Sequence, residues 1–124
     1  MPVVTGPISK LSPLQEALQA LEEVSRKNTG EPTAAKVFHT GINNILRWYL
    51  YRRAGVATME KTSAELMLQL KQFNLSAADF TQLAQVLRMN DAVKFAKYQP
   101  SPQENGQAIE TIKQSVQQLD TIIN

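Results

Sequence analysis

The segment FHTGINNILRWYLYRRAG, residues 38–55, decides the fold of this chain. Its apolar residues recur at every third or fourth position, as on one face of a helix: Phe38, Ile42, Ile45 and Tyr49. From position 45 to 51 the segment is apolar nearly all round, which is typical of a helix enclosed by other helices. Gly55 can take the left-handed conformation that ends a helix. The segment therefore predicts a long central helix over about 32–54.

Four further helices are predicted around this one, and their starts are well marked. Ser12, Thr62 and Ser101 each provide a capping hydroxyl, and Gln or Glu follows three residues later, which is the capping-box pattern. Ser76 begins a weaker version of the same pattern. Apolar stripes between these starts predict five helices over about 12–28, 32–54, 63–73, 77–97 (broken near residue 90) and 102–122. The second helix has a vaguer start near residues 29–32.

Length and composition fit one compact domain. The chain has 124 residues, of which 43% are hydrophobic and 19% charged, a globular profile. We therefore predict an all-α fold, a single compact bundle of about five helices over residues 11–124. Residues 1–10 are predicted to be a flexible N-terminal remnant or a juxtamembrane segment. No apolar run approaches the roughly 18 residues that a membrane-spanning helix needs.

All eight aromatic residues lie between Phe38 and Tyr98. This distribution predicts an aromatic core in the three middle helices, with the aliphatic first and last helices packed over it. At the end of the fourth helix, Phe95 and Tyr98 are predicted to close that core. Asp91 is predicted to cap a short piece after the break, and residues 92–98 could instead be extended.

The chain offers few groups for catalysis or metal binding. It has no cysteine, and His39 is its only histidine. Ile42 and Asn43, rather than an acidic residue or a second ligand, follow His39 at helical spacing, so it is interpreted as a surface or boundary residue. The acidic residues stand singly, and no phosphate-binding loop is present. We predict no enzyme activity, no cofactor, no metal site and no small-molecule substrate, with a hydrolase centred on His39 as the catalytic alternative.

The positive charge is concentrated in the middle of the chain. Residues 36–97 carry nine basic and four acidic side chains, whereas the net charge of the whole chain is only +2. Three arginines alternate with three aromatic residues over 47–53, a composition found in protein-binding hot spots, at nucleic-acid phosphates and at membrane surfaces. Buried aromatics, with arginines that complement the helix C-terminus, explain the same pattern structurally. The predicted partner-binding residues are Arg47, Arg52, Arg53, Lys94 and Lys97.

A nucleic-acid interface is the main alternative. The third and fourth predicted helices flank a short turn at Asn74-Leu75 and could form a helix-turn-helix motif. The fourth helix would then read the bases. Its first turns contain Asp79 and no arginine before Arg88, whereas a recognition helix normally brings Arg or Lys to the groove. The pattern therefore favours nucleic-acid binding less than protein binding.

Three segments taken together resemble a known family: LRWYLYRRAGV (46–56), KTSAELMLQL (61–70) and VLRMNDAVKFAKYQPSPQE (86–104). The family is the cytosolic domain of uncharacterised bacterial membrane proteins associated with aerotolerance (Bat) operons. The resemblance covers roughly residues 14–123. The matching positions are Leu46-Arg47-Trp48-Tyr49, Thr62-Ser63-Ala64-Glu65-Leu66, Asp91, Lys94-Phe95-Ala96 and Pro100.

The resemblance implies a domain that follows a transmembrane helix. This chain would then be a soluble fragment at the cytoplasmic face of the bacterial inner membrane. The same operons encode a MoxR-type ATPase and von Willebrand factor A proteins, which the resemblance implies as partners in a membrane-associated assembly. The family has no established activity and provides no catalytic residues. We therefore predict a non-catalytic cytosolic protein-interaction module of a membrane-anchored bacterial protein.

Overall fold

The computed structural model describes residues 11–27 and 32–123. Within these ranges the chain is all-α, as predicted, and forms a bundle of five helices. The helices are α1 (Pro13–Arg26), α2 (Pro32–Ala54), α3 (Ser63–Leu70), α4 (Ala77–Phe95) and α5 (Pro102–Ile122). The segment 1–10 and the start proposed for the second helix before Pro32 lie outside the described residues.

The helix caps and the end of α2 that the sequence predicts are confirmed. Ser12, Thr62 and Ser101 cap α1, α3 and α5, and each forms a complete capping box with the Gln or Glu three residues later. Ser76 caps α4 by accepting the backbone N–H of residue 79 at 3.1 Å, without the reciprocal bond. Gly55 ends α2 with a φ of 70°, a conformation that glycine adopts without a steric penalty.

The capping boxes make stability depend on pH. The Ser101 backbone N–H donates to Glu104, and this bond, followed by a bond from the Tyr98 hydroxyl, lowers the pKa of the Glu104 carboxyl. Between the lowered native pKa and the ordinary pKa, the unfolded chain binds a proton that the native chain does not. The stabilisation that the Glu104 carboxylate gives the native chain is therefore fully present above the ordinary glutamate pKa. It is lost as the pH falls through the lower native pKa.

We expect Glu104→Gln to lower the melting temperature near neutral pH, because a neutral amide replaces the carboxylate that accepts bonds from the Ser101 backbone N–H and the Tyr98 hydroxyl. The difference from the wild type should shrink as the pH falls through the lowered native pKa of Glu104, where the carboxyl becomes protonated in the native chain as well. Thermal unfolding followed by circular dichroism measures both melting temperatures. Glu22→Gln, at an exposed position of α1, is the control. A difference in melting temperature between the wild type and Glu104→Gln that stays constant with pH would contradict the lowered pKa of Glu104.

The core is organised around α2, as predicted. This helix packs against α1, α4 and α5, and α1 also packs against α5. α3 packs against α4. The fully buried side chains of α2 include Ile42, Leu46, Tyr49 and Leu50. Burial of such side chains is the main term that stabilises a bundle of this kind.

The predicted aromatic core is found only in part. Phe38 and Tyr49 are buried and Phe73 and Phe80 pack against the core, but most of the buried side chains are leucine, isoleucine, valine and alanine. Phe95 and Tyr98 do not close it, because their side chains are 74% and 41% exposed. The aromatic residues at the end of α4 therefore face solvent.

The predicted break in the fourth helix is also wrong. α4 continues as one helix to Phe95, and residues 92–95 are helical rather than extended. Asp91 therefore lies inside the helix and caps nothing. Asn90, at the position of the expected break, uses its side chain for a buried bond to another helix. The chain leaves α4 through Lys97, whose φ of 58° is in the left-handed region.

None of the helices in the described ranges combines the length and the hydropathy that crossing a membrane requires.

Candidate functional site

A polar pocket of about 270 Å³ lies between α2, the loop before α3, and the C-terminal half of α4. Two larger clefts lie elsewhere on the described surface, one of about 340 Å³ between α4 and α5 and one of about 380 Å³ between α1 and α5. The first pocket, called here the α2–α4 pocket, is the one whose described lining includes buried polar atoms without a hydrogen-bond partner. This property makes it the candidate site.

Arg47 forms one wall of the α2–α4 pocket and is buried. Its guanidinium donates to the Asn43 side chain and to the backbone carbonyls of Thr58 (2.7 Å) and Lys61. The Thr58 hydroxyl in turn donates to the Arg47 carbonyl at 2.6 Å. These bonds fasten the loop between α2 and α3 onto α2, so the predicted contact residue Arg47 instead holds the pocket together.

Burial and a nearby carboxylate act on Arg47 in opposite directions. Removal of the guanidinium from water lowers its pKa, and the negative charge of Asp91 raises it. Asp91 also lines the pocket. The charges of these two side chains therefore partly compensate each other inside the site.

His39 forms the floor of the pocket, and its interpretation as a surface or boundary residue is wrong. The side chain is 0% exposed. Its Nδ1 lies 2.8 Å from Asn90 Oδ1 on α4, and its Nε2 lies 2.7 Å from Asn105 Oδ1 on α5. One imidazole thus connects three helices. Because both ring nitrogens are engaged by amide groups, the arrangement favours a structural role over that of a catalytic base.

The protonation of His39 constrains the two asparagines. A neutral imidazole donates from one nitrogen and accepts at the other, so one asparagine must then present its amide nitrogen to the ring. Turning the Asn105 side chain alone meets this requirement and leaves Asn90 in its present orientation. Asn90 can therefore keep its oxygen on the histidine in either protonation state.

Two side chains of the pocket wall have unsatisfied polar atoms. Ser63 is 9% exposed and Asn90 is 4% exposed. Ser63 Oγ and Asn90 Nδ2 are both buried, and neither has a hydrogen-bond partner. Such groups are rare in native proteins because each costs about 1–3 kcal/mol of lost solvation. Sequence reasoning missed both residues as site residues, since Ser63 stands in a helix-capping motif and Asn90 in no motif that indicates binding.

The rim of the α2–α4 pocket combines apolar surface with free positive charge. Met59 and Phe95 line it and are exposed. The Nζ atom of Lys94, a further lining residue, lies 5.2 Å from the centroid of the Phe95 ring, which is within cation–π range. Lys97, two residues after the end of α4, is also exposed. Within the described ranges neither lysine takes part in an ion pair.

The other two predicted contact residues are engaged inside the bundle. Arg52 pairs with Glu16 of α1 at 3.1 Å, and Arg53 pairs with Asp120 of α5 at 3.0 Å. Arg53 also donates to the Ile123 carbonyl. The structure therefore brings Arg47 and Lys94 together at the pocket, whereas Arg52 and Arg53 join α2 to the terminal helices. These two guanidinium groups serve the fold through ion pairs to other helices, whereas the structural explanation from the sequence had them complement the C-terminus of their own helix.

The Asp120 carboxylate also accepts a bond of 2.9 Å from the Tyr49 hydroxyl. Burial, and then this bond, raise the pKa of the Tyr49 phenol. Trp48 donates to Glu16 at 2.8 Å. Trp48 and Tyr49 thus contact the same two carboxylates as Arg52 and Arg53 do.

The surface suggested for nucleic acid has little positive charge. The first turns of α4 expose alanine, threonine and glutamine side chains, and Arg88 is the first basic residue of the helix. Nothing in this surface favours phosphate binding. Among the described residues, no three His, Asp or Glu side chains form a group that could hold a metal ion.

Comparison with family models, curated proteins and solved structures found no match to this chain.

Proposed function

We propose that the chain is a non-catalytic protein-interaction module that binds an acidic segment of a partner protein. Its contact surface, called here the Phe95 surface, consists of Met59, Lys94, Phe95 and Lys97. The observation that carries the proposal is the exposed Phe95 ring with Lys94 over it and Lys97 two residues further along the chain, neither lysine taking part in an ion pair within the described ranges.

The apolar part of the Phe95 surface has an energetic reason to be covered. Phe95 leaves 74% of its surface in water, and Met59 adds exposed apolar surface on the same rim. Covering a phenylalanine side chain stabilises a complex by about 1.5–3 kcal/mol. Single exposed apolar residues are common, so the adjacent pocket and charges are what distinguish this surface.

The charge of the Phe95 surface favours an acidic partner. Lys94 and Lys97 lie in the segment 36–97, whose net charge is +5 by sequence. Arg47, Arg52 and Arg53 of the same segment are engaged by internal acceptors. The two lysines are exposed instead. An acidic partner would gain long-range attraction and faster association from them.

The cellular setting of the proposal comes from the family resemblance. In that setting the module lies at the cytoplasmic face of the bacterial inner membrane, as part of a membrane-anchored protein. Its partners would belong to the same assembly, with a MoxR-type ATPase and von Willebrand factor A proteins as the first proteins to test.

Phe95→Ser tests the surface, with Val37→Ser as its matched control. Val37 is 73% exposed on α2, so both changes remove a solvent-exposed apolar side chain from a helix. The module is used as bait in the source bacterium, the captured protein is identified by mass spectrometry, and its affinity for the purified module is then measured. We expect Phe95→Ser to raise the dissociation constant about tenfold or more, and Val37→Ser to leave it unchanged.

Equal affinity of the Phe95→Ser and wild-type modules would refute the proposed surface.

Lys97→Glu tests the charge, and should weaken binding most at low salt. It is a cleaner test than reversing Arg52 and Arg53, because those changes would also break the ion pairs to α1 and α5.

A further inference from the structure

We infer that the α2–α4 pocket binds the side-chain carboxylate of an aspartate or glutamate in the partner segment. The inference rests on the proposed function, because it supplies the acidic residue that the Phe95 surface would attract. The observation behind it is the pair of buried, unpartnered polar atoms on Ser63 and Asn90 in a pocket that opens beside Phe95.

The unpartnered atoms specify what the pocket can accept. The Ser63 hydroxyl and the Asn90 amide nitrogen are both hydrogen-bond donors. Both residues are more than nine-tenths buried, so a ligand that accepts from them recovers solvation that the folded chain has lost. A carboxylate has two oxygens, each able to accept more than one bond, and can therefore engage several donors at once.

The charges of the lining favour an anion with a single negative charge. Arg47, Lys61 and Lys94 provide three positive charges, and Glu60 and Asp91 provide two negative ones. The resulting net charge is +1. One carboxylate neutralises it, whereas a phosphate dianion would leave an excess of negative charge beside two carboxylates. Bonds from charged donors to a carboxylate are also stronger than neutral ones.

The position of the pocket links it to the Phe95 surface. Met59, Lys94 and Phe95 belong both to that surface and to the lining of the pocket. A partner segment that covers the phenylalanine ring would therefore bring a neighbouring side chain to the pocket mouth. The volume of about 270 Å³ suits a side chain rather than a larger ligand.

The test is an NMR titration of the purified chain with N-acetyl-glutamate methylamide, which presents only a side-chain carboxylate. We expect the backbone signals of Ser63, Asn90 and Lys94 to shift with this probe and to stay unchanged with N-acetyl-glutamine methylamide. Ser63→Ala and Lys94→Gln should each lower the affinity of the chain for the glutamate probe about tenfold. Lys71→Gln, at an exposed position outside the lining, should leave the affinity for this probe unchanged.

Three outcomes would overturn the inference: equal binding of the glutamine probe, unchanged affinity in Ser63→Ala, or shifts confined to another surface. If inorganic phosphate, or N-acetyl-alanine with its terminal carboxylate, bound more tightly than the glutamate probe, the ligand of the pocket would not be a side-chain carboxylate. Circular dichroism checks that each variant folds. If Phe95→Ser abolishes partner binding while Ser63→Ala does not change it, only the pocket inference fails. If Phe95→Ser has no effect, the proposed function fails.

Discussion

Replacement of Arg47 with methionine is expected to lower the free energy of unfolding by about 3–5 kcal/mol. Methionine can fill much of the space but cannot donate to the carbonyls of Thr58 and Lys61, which the guanidinium now satisfies. The Asn43 oxygen loses the same donor. Removal of one member of a buried polar network costs more than the bonds themselves, because the remaining groups stay buried and unpaired.

Chemical denaturation measures this effect, with Arg88→Met as the control. Arg88 is exposed on α4, so its replacement should change the free energy of unfolding by no more than about 0.5 kcal/mol. Hydrogen exchange should also become faster between residues 56 and 62, because Arg47 fastens that loop to α2. If Arg47→Met lowered the free energy of unfolding no more than Arg88→Met does, the loop would not depend on the Arg47 side chain.

The second large effect is expected at His39. His39→Leu should lower the free energy of unfolding by about 2–5 kcal/mol, although leucine is apolar and the site is fully buried. The ring nitrogens of the histidine now bond to the side-chain amides of Asn90 on α4, at 2.8 Å, and of Asn105 on α5, at 2.7 Å. Leucine leaves both amides buried with no partner on α2.

A double-mutant cycle with Asn105→Leu separates this network from simple packing. The His39→Leu, Asn105→Leu double variant should lose about 1–2 kcal/mol less than the sum of the two single losses, because the second change removes an acceptor that the first left unpaired. Urea denaturation of the four proteins gives the coupling free energy. Additive losses would contradict the proposed bond between the two side chains.

Local sequence signals predicted the helices well because their causes are local. Ser12, Thr62 and Ser101 cap helices through bonds that reach only three residues along the chain. Gly55 ends α2 for the same kind of reason. The enclosed position of α2 also followed from the sequence, since an all-round apolar segment is stable only when other helices surround it.

The polar interior could not be predicted in this way. His39 bonds to residues 51 and 66 positions away, and no local pattern identifies Asn90 and Asn105 as its partners. The only local signal was Asn43 and Arg47 at a spacing of four on an apolar helix, which is compatible with a buried side-chain bond. The α2–α4 pocket exists only after three helices have come together, so its unsatisfied donors were invisible in the sequence.

The end of α4 shows the limit of the apolar pattern. Phe95 and Tyr98 continue the stripe of the helix, which predicted that they would close the core. The structure leaves both exposed, because α4 extends beyond the bundle's aliphatic core and the Tyr98 hydroxyl donates to Glu104 at the surface. One of these two residues, Phe95, is the centre of the proposed contact surface.

The most direct test of the proposed contact is site-specific photo-crosslinking in the source bacterium. A photoreactive phenylalanine, p-benzoyl-phenylalanine, replaces Phe95 in one strain and Val37 in another, two positions with nearly equal exposure. We expect a crosslink to a specific protein at position 95 and none at position 37. A crosslink at position 37 with none at position 95 would contradict the account.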